Sequence, residues 1–86
     1  MSADRSDTLV RIIRVMARTF PTLRDDTITR ETVSSDVQGW DSLSHSLLIM
    51  GVEEEFRVEL PAEEIYDLAN VGALVDLVER SIGALR

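Results

Sequence analysis

The 86-residue sequence predicts an all-α fold: a small four-helix bundle with a long first loop and a short third helix. Three observations carry this expectation. Apolar residues recur at helical spacing in three separate segments, no segment alternates as a strand would, and proline or asparagine punctuates the segment ends. Leu9, Ile12, Ile13, Met16 and Phe20 place a first helix over about residues 4–18, capped by Ser2 or Ser6 and closed off by Pro21. Residues 19–41 follow neither period. A connection that long in so small a domain implies function or ordering by a few buried residues, here Ile28, Val33, Val37 and Trp40.

A second helix starts at Asp41 or Ser42 and runs to about Phe56, where "RVELP" breaks it. "PAEEIYDLA" reads as a short third helix, with Pro61 suited to its start and Glu63 and Glu64 to the positive end of its dipole. Asn70 can cap the last helix, in which Val71, Leu74, Val75, Val78 and Ile82 form one stripe. The whole chain, residues 1–86, reads as a single domain.

Composition narrows the chemistry. The chain has no cysteine and one histidine, so neither a disulfide framework, a reactive thiol nor a Cys/His zinc site is expected. A net charge of -7 repels nucleic acid and anionic membranes and suits partners rich in basic residues. All nine basic residues are arginine, a bias that fits a GC-rich bacterial genome. The stretch "MSADRSDTLV" is polar and acidic, unlike a signal peptide, and no apolar segment is long enough to span a bilayer. These features lead to the expectation of a cytoplasmic monomer.

The second helix carries the functional signal. At about 100° per residue, His45, Leu48, Ile49, Val52 and Phe56 share one sector, the expected core face. Leu43, Leu47 and Met50 gather on the other side with Glu54, while Ser42, Ser46 and Glu53 lie at the boundary. Either the long loop buries that second cluster, or it is an exposed apolar stripe with an acidic rim, as transient interfaces have.

Ser42 itself admits three roles. It can cap the helix, although Asp41 could do the same. Asp41, Ser42 and His45 contain the residue types of a hydrolase triad. However, His45 points toward the core, and neither a G-x-S-x-G turn nor a glycine-rich oxyanion loop is present. Finally, Ser42 can be modified, since a phosphodiester at a helix N-terminus meets unpaired N–H groups and the positive end of the dipole.

The stretch "GWDSLSHSLLIMGVEEEFRVELP" resembles the acyl carrier protein family, whose signature is D-S-L opening the second helix and an E-E-E-F ending. "IYDLANVGALVDLVERS" is similar to that family's third and fourth helices, so the likeness spans essentially the whole chain. The resemblance implies that a phosphopantetheinyl transferase joins 4′-phosphopantetheine, taken from coenzyme A, to Ser42. It implies a carrier rather than an enzyme, holding acyl or aminoacyl groups as thioesters and presenting them to acyl-loading and acyl-processing enzymes. Leu43, Leu47 and Met50 would then dock partners, with Asp41, Glu53 and Glu54 facing basic patches. The reactive sulfur would arrive with the cofactor, in keeping with a chain that has no cysteine.

Some positions depart from the fatty-acid-synthesis members. Ser44 and Leu47 stand where acids are common, Trp40 replaces a small residue, and Arg57 takes the place of a glycine ending the second helix. This W-D-S-L type looks like stand-alone carriers of secondary-metabolite or aminoacyl pathways, within a family that serves fatty acid, polyketide or secondary-metabolite biosynthesis. His45 is expected to be partly buried and hydrogen-bonded, and Trp40 to anchor the loop. The rival reading is a small acidic helical adaptor that binds a partner through the same face without modification.

Overall fold

Each helix forms where the apolar period runs and stops where a residue cannot continue it. The computed structural model describes residues 3–84, with side chains from residue 7 onward. Four α-helices are present: α1 (Ala3–Thr19), α2 (Ser42–Phe56), α3 (Ala62–Ile65) and α4 (Val71–Ala84), with no strand among the described residues. α1 extends one residue beyond each expected end. Ser6 therefore lies inside it, and Ser2 lies outside the described residues. The Phe20 N–H closes the last turn on the Met16 carbonyl at 2.8 Å, and Pro21 follows.

The core is drawn from all four helices and the loops. Ile12, Val15, Met16 and Phe20 meet Leu48, Ile49, Val52 and Phe56 of α2 and Val71, Leu74, Val75, Leu77 and Val78 of α4. Leu9, Ile13 and Ile82, read from the sequence as stripe residues, are only half-buried at its edge. Leu77 lies outside the expected stripe yet is buried. α4 packs against α1, and the segment around Arg30 is fastened to its first turns, so a wider arc of the helix is covered. α1 and α2 pack so closely that a Cβ at Gly51 would lie 2.8 Å from Val15 Cγ1. Glycine in a helix interior costs roughly 1 kcal/mol relative to alanine, and the close approach accounts for it here.

The long connection is ordered by its own hydrogen bonds and by α4. It contains two 3-10 turns, Asp25–Thr27 and Ser34–Asp36, and it buries Ile28 and Val37. Trp40 and Leu23 pack against the core, whereas Val33 is half-buried outside the core cluster. The Thr32 carbonyl accepts from Val71 N–H at 2.9 Å, and the Arg30 carbonyl from Gly72 N–H at 2.7 Å. With Asn70 Oδ1 accepting from Ala73 N–H at 2.8 Å, these bonds satisfy donors that a helix start leaves open. Arg30 also reaches both carboxylate oxygens of Asp76, at 3.0 and 3.1 Å.

Where α2 ends, Arg57 adopts a left-handed conformation with φ 56° and ψ 46°. On α1, Arg11 secures this end by pairing with the Glu55 side chain and carbonyl, both at 2.9 Å, and by lying over the Phe56 ring. α3 is brief, and the Arg80–Glu64 ion pair at 3.0 Å ties it to α4.

Two predictions follow from this packing. Val52 is fully buried and Leu47 is 50% exposed. Val52→Asp should cost about 4 kcal/mol or more through an unpaired buried charge, and Leu47→Asp under about 1 kcal/mol. Thermal melts in the reverse order would mean that α2 is turned the other way. Arg57→Gly should stabilise the domain by roughly 0.5–1 kcal/mol, since relief of left-handed strain exceeds the added chain entropy of glycine. Urea denaturation measures the difference, and a lower midpoint would show that Arg57 is not strained.

Candidate functional site

The start of α2 is organised by one carboxylate. Asp41 is its N-cap, with Oδ1 accepting from the Ser44 N–H at 2.9 Å. That bond is the foremost reason why the Asp41 carboxyl is held below the ordinary carboxylate range. The sign follows: the folded value is depressed, so the cap's contribution is complete above the unfolded value near 3.8 and is lost as pH falls through the folded one.

Because Asp41 caps the helix, Ser42 does not. Its hydroxyl is exposed and makes no hydrogen bond to any described residue. The two neighbouring serines are committed. Ser44 Oγ donates to the Gly39 carbonyl at 2.7 Å, and Ser46 Oγ lies 3.3 Å from the Tyr66 hydroxyl. The left-handed φ of 89° at Gly39 lets the chain turn into this position, which a side chain would strain.

His45 is half-buried and engaged on both ring nitrogens. Trp40 Nε1–H donates to Nδ1 at 3.0 Å, and Nε2 lies 2.9 Å from the Ile65 carbonyl. Indole is only a donor, so Nδ1 must accept, and the imidazole proton sits on Nε2 and is donated to Ile65. Neither nitrogen is directed at Ser42, and Asp41 is bonded to Ser44. Asp41, Ser42 and His45 therefore do not form a proton-relay triad.

Beside this helix start the surface divides. Leu43, Leu47 and Met50 are 70%, 50% and 64% exposed, so the loop does not bury them. Tyr66, at 68% exposed, stands next to Ser46 and widens the apolar face. Helical spacing could not have found it, because it belongs to another segment. Glu54 is exposed, but Glu53 is half-buried and its Oε2 accepts from the Leu60 N–H at 2.9 Å. One rim acid thus also holds the turn after α2.

On the inner side, a cleft of about 240 Å³ opens between the end of the long loop, α2 and the segment joining α3 to α4. Trp40, His45, Tyr66, Leu68 and Leu74 line it, and Ser42 belongs to its wall. The rings form a continuous series: Phe20 to Trp40 at 5.4 Å, Trp40 to His45 at 6.0 Å and His45 to Tyr66 at 5.5 Å.

An exposed, unbonded serine at a capped helix start, flanked by apolar side chains, suits covalent attachment of a group that partner proteins must reach. Comparison with known proteins agrees. Residues 10–78 match the family described as a phosphopantetheine attachment site. A chloroplastic acyl carrier protein of Brassica napus is 28% identical over 82 residues, 95% of this chain and 60% of that protein. The chloroplastic acyl carrier protein SF2 of Brassica campestris is 28% identical over 80 residues, 93% of this chain and 59% of that one. The chain thus spans about three fifths of the length of these curated relatives. Among solved structures, the solution structure of holo acyl carrier protein from Geobacter metallireducens superposes with a TM-score of 0.78 at 32% identity, covering 91% of this chain and 88% of that one. On the strength of the matched domain, the shared helical fold and this relative, the chain belongs to the acyl carrier protein family.

Proposed function

We propose that this protein is an acyl carrier with Ser42 as its single site of 4′-phosphopantetheine attachment. The observation that carries the reading is the Ser42 hydroxyl, exposed and unbonded on the first turn of α2 while Asp41 does the capping. The residues fit the group: the helix start favours the phosphate's charge, and no side chain has to move to uncover the oxygen. A transferase moves phosphopantetheine from coenzyme A to Ser42. Oγ gives up its proton and bonds to the phosphorus that bears the pantetheine, while the pyrophosphate P–O bond breaks and adenosine 3′,5′-bisphosphate leaves. The arm supplies a thiol on which acyl or aminoacyl groups are held as thioesters.

Partner enzymes are expected to dock on Leu43, Leu47 and Met50, which are exposed apolar residues with no counterpart inside the chain. Asp41 and Glu54 provide charge that steers basic surfaces, and Glu53 adds to it while holding the Leu60 N–H. No helix among the described residues is long and apolar enough to cross a membrane. We read the chain as one carrier domain, monomeric and cytoplasmic in a bacterium, serving a secondary-metabolite or polyketide pathway rather than primary fatty-acid synthesis.

Treatment with coenzyme A and a broad-specificity phosphopantetheinyl transferase should raise the intact mass by one phosphopantetheine. Ser42→Ala should abolish the rise. An unmodified wild-type chain across several transferases would favour the unmodified adaptor instead.

The pathway reading has its own test. Loaded with malonyl, the holo-protein should be turned over poorly by a condensing enzyme of fatty-acid synthesis, because Leu47 presents apolar area where charge is common. Leu47→Glu should raise turnover, most clearly at low salt. Ser44 is the poorer position to change, since its hydroxyl holds Gly39. Turnover equal to that enzyme's own carrier would contradict the specialisation.

A further inference from the structure

The charges of this chain are unevenly placed. Residues 7–24 hold four arginines and one acid, Asp7, whereas residues 41–67 hold eight acids and one arginine, Arg57. The first set lies along α1 and just past its end, the second along α2, α3 and the turn between them. α1 and α2 run antiparallel, since Arg11 meets Glu55 and Val15 lies against Gly51. Both helices turn their buried sides to the common core. Arginines on the outer side of α1 therefore lie alongside the acid-rimmed outer face of α2.

Val10, Arg14, Ala17 and Arg18 are all exposed, and their helical spacing puts them on one side of α1. Structural duty accounts for only part of this basic stripe. Arg11 is committed to Glu55, and Arg18 suits the helix C-terminus, although it reaches Glu55 only at 4.0 Å. Arg14 sits in mid-helix and makes no hydrogen bond or ion pair with any described residue. Arginines three and four positions apart on one helix also repel each other. The stripe thus works against α1 in the free chain, and an external anion relieves it.

The stripe runs only about 12 Å along the helix axis, from Val10 to Arg18. An anionic membrane or a nucleic acid is far more extended and would also meet the acids of α2 and α3, in a chain of net charge -7. A compact acidic surface avoids them. Val10 and Ala17 add apolar area that phosphate groups cannot cover and protein side chains can.

We propose that this stripe is a second docking surface, which binds an acidic amphipathic helix of a partner protein. Acids of that helix meet Arg14 and Arg18, and its apolar side chains cover Val10 and Ala17. The sign is opposite to that of the α2 face, so basic partners are turned away from α1 and acidic ones from α2. The surface does not depend on attachment at Ser42 and is the same with or without the arm.

The experiment titrates the isotope-labelled whole chain with two synthetic stapled helices about four turns long. They share one leucine face, and their remaining positions are all Glu in one and all Lys in the other. The Glu peptide should shift the amide signals of Val10, Arg14, Ala17 and Arg18, and added salt should weaken its binding. Arg14→Glu combined with Arg18→Glu should cut its affinity about tenfold or more. The Lys peptide should instead shift Leu43, Leu47 and Met50, and the double variant should bind it no less tightly. Thermal melts check that the variant folds. Arg14→Gln, at a position with no bond to lose, repeats the test with a smaller loss. A Glu peptide that leaves the α1 signals unmoved, or that binds the double variant as well as the wild type, overturns the proposal. Binding to phosphatidylglycerol vesicles that the Glu peptide cannot displace and the double variant loses would make the occupant a membrane and also overturn it. Self-association of the chain that the double variant abolishes would make the occupant a second copy, with the same consequence. Transferase labelling of Ser42 is read separately, so either claim can fail without the other.

Discussion

A single hydrogen bond, from the Ser44 N–H to the Asp41 carboxylate, decides what the start of α2 can do. A helix start leaves several N–H groups without partners, and a serine in the first turn is a ready candidate to satisfy one. Here the preceding aspartate takes that task. The consequence spreads through the next residues: Ser44 turns its hydroxyl back to Gly39, Ser46 meets Tyr66, and Ser42 is left with an exposed, uncommitted oxygen. The availability of Ser42 is thus a by-product of how the cap is built, and the cap is an acid whose charged form the helix start favours.

α2 has to serve two surfaces at once. Leu48, Ile49, Val52 and Phe56 hold it to the core, while Leu43, Leu47 and Met50 face outward. An apolar residue facing water adds little to folding, so the inner face and its neighbours must secure the helix. Gly51 allows close contact with Val15, Arg11 clasps the far end at Glu55, and His45 bonds across to Ile65. These attachments leave the outer face with no structural duty and available to partners.

The fold was largely legible because its segments are periodic and clearly punctuated. The two faces of α2, the Asn70 cap and the boundaries of α2 and α4 agree with the pattern of residues. The long loop was legible only in outline. Its order depends on backbone carbonyls of Arg30 and Thr32 meeting the start of α4, and carbonyls carry no sequence signal. The same limit applies to the site. Ser42 and the apolar residues around it could be read from one helix and one motif, but Tyr66 and the His45–Ile65 bond join segments about twenty residues apart. The rim acids look alike in the sequence, yet Glu53 accepts from the Leu60 N–H and Glu54 does not. Helical spacing could not separate them.

The central claim is that hydrogen bonding selects one serine out of three at the start of α2. Fragmentation of the peptide spanning residues 40–57, taken from transferase-treated protein, tests it most directly by locating the added mass. The account predicts phosphopantetheine on Ser42 alone, with Ser44 and Ser46 unmodified. Phosphopantetheine found on Ser44 or Ser46 would contradict it.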